Sequence, residues 1–144
     1  PGTDCFGCLC YIITKIINVG EYWDSYTGGT SPRMGVGDIS LRNGGPFDHS
    51  THQNGLDVDL RYVRKNKDAE GNVSEANFTF GSHPISDYDY DGTRELMIYF
   101  VAEGASVIYA DSDSNLGADQ ILSSYIEYKS DHHDHFHVSF PDPD

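Results

Sequence analysis

From Leu9 onward the apolar residues Leu9, Ile12, Ile13, Ile16 and Ile17 recur at helical spacing, which predicts a helix despite their β-branching. Tyr22, Trp23 and Tyr26 extend the same buried face toward the Gly28-Gly29 break, with Gly20 as an end or an interruption on the way. Residues 34–41 read as a strand that runs into Asn43-Gly44-Gly45-Pro46, a dense signal for chain reversal. Over 56–60 apolar and acidic residues alternate as L-D-V-D-L, a strand pattern with Asp57 and Asp59 on one face. The polar stretch 65–77 is an exposed excursion. A helix is predicted over 93–103, with Asp91 as its N-cap and Gly104 at its end. A strand over 106–110, a helix over 120–128 and a last strand over 136–140 follow, the last with His137 and Ser139 on one face.

Helices and strands alternating with glycine-rich loops indicate an α+β fold, and 144 residues suffice for one domain with a real core. That single domain divides into an N-terminal helical segment, 1–33, and a core, 34–140. The formal charge of −14 argues against nucleic acid, whose binding depends on Lys and Arg neutralising phosphates. It also disfavours an anionic membrane surface, and no apolar run approaches the ~18 residues of a spanning helix. A soluble monomer without nucleic-acid or membrane partners is expected. Pro1 stands first, without an initiator Met or an apolar leader, so a processed or trimmed chain is expected.

Cys5, Cys8 and Cys10 are the three cysteines of the chain. A zinc knuckle would want a fourth ligand nearby, so a short disulfide or free thiols are the preferred reading. Asp87, Asp89, Asp91 and Gly92 spell the opening of a calcium loop, but Ile98 stands where the bidentate Glu belongs. A lead-in that caps and charges the following helix is preferred over calcium.

The histidines carry the chemistry. Six of the seven fall in two groups, His49 with His52, and His132, His133, His135 and His137. Histidine is the commonest side-chain metal ligand, and catalytic zinc takes three protein ligands from His and Asp/Glu with one position left for water. On a strand His135 and His137 project to one face, and His52 enters the Asp57-to-Asp59 strand, so a His, an Asp and a second His can converge. A purification tag or a solvated patch is the bland alternative, but the alternation with Asp131, Asp134, Phe136 and Val138 speaks against it. H-E-x-x-H, G-x-S-x-G and S-x-x-K motifs are all absent, which leaves no serine-nucleophile signature.

The stretch GDISLRNGGPFDHSTHQNGLDVDLRYV, 37–63, and the closing HHDHFHV, 132–138, resemble the two motifs of penicillin-insensitive murein endopeptidases, H-x-x-H-Q-x-G-L-D-V-D and H-x-x-H-x-H-V. The resemblance covers roughly 34–139 and implies a small antiparallel sheet, flanked by helices, that carries a zinc site. It further implies that His52, Asp59 and His137 ligate Zn2+, with His49 a candidate fourth ligand. His135 would face the metal-bound water, and His132 and His49 would line or orient the site. His133 and His83 receive no role. The implied activity is hydrolysis of D-alanyl to meso-diaminopimelyl cross-links in peptidoglycan by a metal-activated water, at a secreted or periplasmic address. Arg42 and Arg61 are candidates to hold a substrate carboxylate. Two other functions stand beside this one: a D,D- or L,D-carboxypeptidase on wall peptides, and a zinc-stabilised binding module that cuts nothing.

Overall fold

The N-terminal helix, α1 (Cys8–Thr27), runs straight through Gly20 and stops where Gly28 and Gly29 take φ of 69° and 76°, a left-handed turn that side chains resist. The structure, a computed structural model, describes residues 8–29, 32–39, 56–65 and 77–142. Ile12, Val19 and Trp23 are buried along one stripe of α1, with Ile16 packed beside them. Ile13, Ile17, Tyr22 and Tyr26 are exposed, so the buried face is narrower than the apolar spacing suggested, and Tyr22 and Tyr26 are not part of it. Their rings lie instead against Tyr99 at 5.5 and 6.4 Å between centroids.

The main sheet contains β1 (Val36–Ile39), β2 (Asp57–Leu60), β5 (Val107–Ala110), β6 (Ile126–Tyr128) and β7 (Phe136–Ser139), in the order β1-β2-β7-β5-β6. Neighbours are antiparallel except β5 and β6, which are parallel. The sheet is therefore mixed, which corrects the expected antiparallel one. A separate two-stranded ladder pairs β3 (Tyr62–Val63) with β4 (Asn77–Phe78). Within the main sheet, alternation divides two faces. Val58, Leu60, Ile108, Phe136 and Val138 join the core cluster with α1. Asp57, Asp59, Tyr109, His137 and Ser139 take the other face.

The second helix, α2 (Tyr90–Ala102), is capped two residues earlier than expected: the Asp89 carboxylate accepts from the Gly92 amide at 2.8 Å, and Asp91 lies inside the first turn. It buries Leu96, Met97 and Phe100, and the chain leaves it through Gly104 at φ 103°. The helix expected over 120–128 does not form. A 3-10 turn at Leu116–Ala118 leads to isolated bonds from the Ser123 amide to Asp119 and from the Ile126 amide to Leu122. Leu122 is the buried anchor of this turn while Ile121 is exposed. Beyond it, Ile126–Tyr128 pairs with β5, a long-range gain that outweighs propagation of a weak local helix.

Candidate metal and catalytic centre

The β2–β7 register places Asp59 directly across from His137 and Asp57 across from Ser139. The His137 ring is thereby held from both ends: Nδ1 lies 3.0 Å from Asp59 Oδ1 and Nε2 lies 2.9 Å from Asp57 Oδ1. The Ser139 hydroxyl donates to the same Asp57 oxygen. All three members of the His137–Asp57–Asp59 group are buried. Burial by itself would hold the imidazole pKa down, but the hydrogen bonds to Asp57 and Asp59 and their charges prevail and raise it to about 9. Without metal the ring is thus an imidazolium clasped between two buried carboxylates.

His132 and His135 sit in the segment leading into β7, and both repeat one local arrangement. The Nδ1 of His132 meets Asp131 and the Nδ1 of His135 meets Asp134, each at 2.7 Å. An Nδ1–H donated to the preceding carboxylate leaves Nε2 as the basic nitrogen. For His135 that nitrogen lies 4.0 Å from Asp59 Oδ1. The two rings stand 4.8 Å apart, and His132 lies 6.3 Å from His137. Burial lowers the His132 pKa, and the opposing pull of Asp131 does not make up for it. His132 is accordingly neutral at pH 7.

The segment is pinned from below. Tyr62, which is buried, donates its hydroxyl to the His132 carbonyl and accepts from the Asp111 amide, both at 2.9 Å. It packs in the core and steadies the histidines. The Phe80 amide donates to the His133 carbonyl, and the His133 ring pairs with the buried Asp111 carboxylate, so His133 has a structural role. His83 accepts from the Thr79 amide at 2.9 Å and belongs to a turn.

A cleft of about 300 Å³ opens at this centre, lined by Gly37, Asp38, Asp59, Arg61, Asp134 and His135. Arg61 reaches Asp134 at 3.4 Å and stays a third exposed, so its guanidinium faces the space in front of Asp59 and His135. Asp87 is bound by Arg64 at 3.1 Å and Asp89 caps α2, which diverts both from a calcium loop. Cys10 is disulfide-bonded, in line with the preferred reading of the cysteines.

Of the sequence-predicted site residues, Asp59, Arg61, His132, His135 and His137 are brought together. His49, His52 and Arg42 lie outside the described residues. Among the described residues no group of three or more His, Cys, Asp or Glu side chains is arranged to hold a metal. The donor chemistry of Asp59 and His137 nonetheless fits one. Two ligands at ~2.0–2.1 Å on a tetrahedral ion lie roughly 3.3 Å apart, and Nδ1 of His137 is 3.0 Å from Asp59 Oδ1. A cation replacing the shared proton asks for a shift of a few tenths of an ångström. Asp57, Asp131 and Asp134 are partners of the histidines that the sequence reading does not assign. The signals were present as the i, i+2 acidic alternation and as two Asp-His dipeptides.

A family model described as penicillin-insensitive murein endopeptidase matches residues 12–90, more than half of the chain. The match contains β2 with Asp57 and Asp59 and ends before the C-terminal histidine group. No curated protein matches the chain.

Proposed function

We propose, from the premise that the chain belongs to the penicillin-insensitive murein endopeptidase family, that it is a zinc-dependent peptidase that cuts D-alanyl to meso-diaminopimelyl cross-links. The observation that carries the reading is Asp59, paired with the buried His137 on one side and 4.0 Å from the Nε2 of His135 on the other, in a cleft that Asp59, His135 and Arg61 line. A murein endopeptidase acts on the cell wall, which agrees with a periplasmic or secreted address. No described helix is long and apolar enough to cross a membrane.

In this reading His52, Asp59 and His137 would hold the zinc, with His49 a candidate fourth ligand. Zinc, when bound, polarises the scissile carbonyl and lowers the pKa of water to about 7. Asp57 fixes the His137 ring by accepting from Nε2, which keeps Nδ1 turned toward Asp59. His135, oriented by Asp134, takes the proton of the attacking water at Nε2 and returns it to the leaving amine. Neutral His132, whose tilted ring lies 4.8 Å from it, supports that position. Arg61 holds a substrate carboxylate at the cleft wall.

The test pairs metal analysis with mass spectrometry of cross-linked muropeptides. Expected are one zinc per chain, conversion of dimers to monomers, loss of turnover with a chelator and indifference to penicillin. His52→Ala should lose stoichiometric zinc. Removal of a terminal residue from uncross-linked stems would replace this reading with a carboxypeptidase, and bound zinc without any product would make the chain a zinc-stabilised binding module.

A further inference from the structure

The row of strand partners that contains Asp59 and His137 continues past them. Tyr109 of β5 stands opposite His137, and Glu127 of β6 stands opposite Tyr109. Four adjacent strands therefore present Asp59, His137, Tyr109 and Glu127 in line on one face. The Tyr109 ring lies 5.5 Å from His137 and 6.2 Å from His132, between centroids. It forms a wall of the centre on the side away from Arg61, since β1 and β2 flank one side of β7 while β5 and β6 flank the other. No described residue hydrogen-bonds its phenol oxygen.

At the end of this row Lys129 holds its ammonium 5.2 Å from the Tyr109 ring centroid and 3.4 Å from Glu127 Oε1. The ring pre-positions the cation. The Glu127 pair is well exposed on both sides, and such pairs exchange readily for a better ligand. Elsewhere Arg64 and Arg94 are engaged by Asp87 and Asp119. In a chain of net charge −14, an anionic group approaches the centre only where a cation receives it.

We propose that Tyr109 and Lys129 form a second substrate subsite, which takes a free carboxylate of a wall peptide on Lys129 while the adjoining peptide lies against the Tyr109 ring. It rests on the murein-peptide reading above and extends it to the side of the centre opposite Arg61. Together the two cations bracket the cleft, so that a peptide with carboxylates on both sides of the scissile bond spans it.

The experiment titrates the zinc-free protein with an uncross-linked murein stem peptide, as the free acid and with its carboxylates amidated, followed by calorimetry and by NMR. Lys129→Ala is expected to weaken binding of the free acid about tenfold, as for loss of one charge-assisted contact. It should leave the amidated peptide unaffected, while Lys129→Arg restores the free acid. Tyr109→Ala should weaken both peptides, and the melting temperatures of the variants should match the parent. Equal affinities of parent and Lys129→Ala for the free acid, equal losses for both peptides, or no binding by the parent would overturn the subsite. Absence of muropeptide hydrolysis would defeat the functional reading instead, because this titration needs neither zinc nor turnover.

Discussion

Two kinds of histidine–carboxylate pair lie within six residues of one another, and they differ in every respect that governs chemistry. His137 is buried and bound at both nitrogens by carboxylates from the neighbouring strand, far away in sequence. His132 and His135 are partly exposed, and among the described residues each is hydrogen-bonded at Nδ1 by the carboxylate just before it. The first arrangement fixes a ring and surrounds it with negative charge, which suits a cation site. The second orients a ring and leaves Nε2 accessible, which suits proton transfer. The same two residue types thus divide into holding and acting roles by burial and by which nitrogens are occupied.

Removing the acting ring should have the largest effect that leaves the holding ring intact. His135→Ala should retain near-stoichiometric zinc and its fold while muropeptide turnover falls ~10²–10⁴-fold, the usual cost of losing a general base. Metal content and turnover measured on one preparation check it. Loss of zinc would make His135 a ligand and collapse the contrast; full activity would send the proton elsewhere, with His49 the next candidate.

Much of this contrast was legible in the sequence, because it depends on local spacing. The i, i+2 pattern on β2 and on the chain entering β7 puts Asp57, Asp59, His135 and His137 on one side, as the structure does. The end of α1 at Gly28-Gly29 and the start of β5 follow from equally local signals. What failed depends on partners distant in sequence. Residues 126–128 carry an apolar pattern compatible with either helix or strand, and the open edge of β5 decides between them. Tyr22 and Tyr26 fit an apolar stripe, but the neighbouring helix meets them at its surface through Tyr99 rather than covering them. The partnership of Asp57 with His137 is not legible, because a strand pattern gives a residue's face without naming what stands across from it.

Asp57→Asn probes the holding side with a smaller expected effect. The amide keeps a hydrogen-bonding group near Nε2 and the Ser139 hydroxyl but removes the charge that fixes the His137 ring. Zinc affinity should drop roughly 10–100-fold, as for loss of a carboxylate behind a ligating histidine, and turnover at saturating zinc should fall less. Competition with a chromophoric chelator measures it. Unchanged affinity would mean that Asp57 serves only to pack the strand pair.

The smallest effect is a difference of sign between the two regions in the metal-free protein. His137 is raised to about 9 from an ordinary 6.5, so between those values the folded state holds a proton that the unfolded chain has lost. Its contribution is fully present below pH 6.5 and lost as pH rises through about 9. His132 is lowered from 6.5, so just below that pH the unfolded chain binds the extra proton, and stability falls as the solution becomes more acid. Thermal unfolding of zinc-free protein should therefore show a melting temperature that declines on both sides of neutrality. His137→Gln should flatten the alkaline limb, and His132→Gln the acid limb to the extent that the Asp residues titrating lower down allow. Saturating zinc should also flatten the alkaline limb, because the metal displaces the His137 proton and binds more tightly as pH rises through the same window. An alkaline limb that persists unchanged in His137→Gln would show that the clasp between Asp57 and Asp59 does not hold an imidazolium, and the division between holding and acting histidines would lose its electrostatic basis.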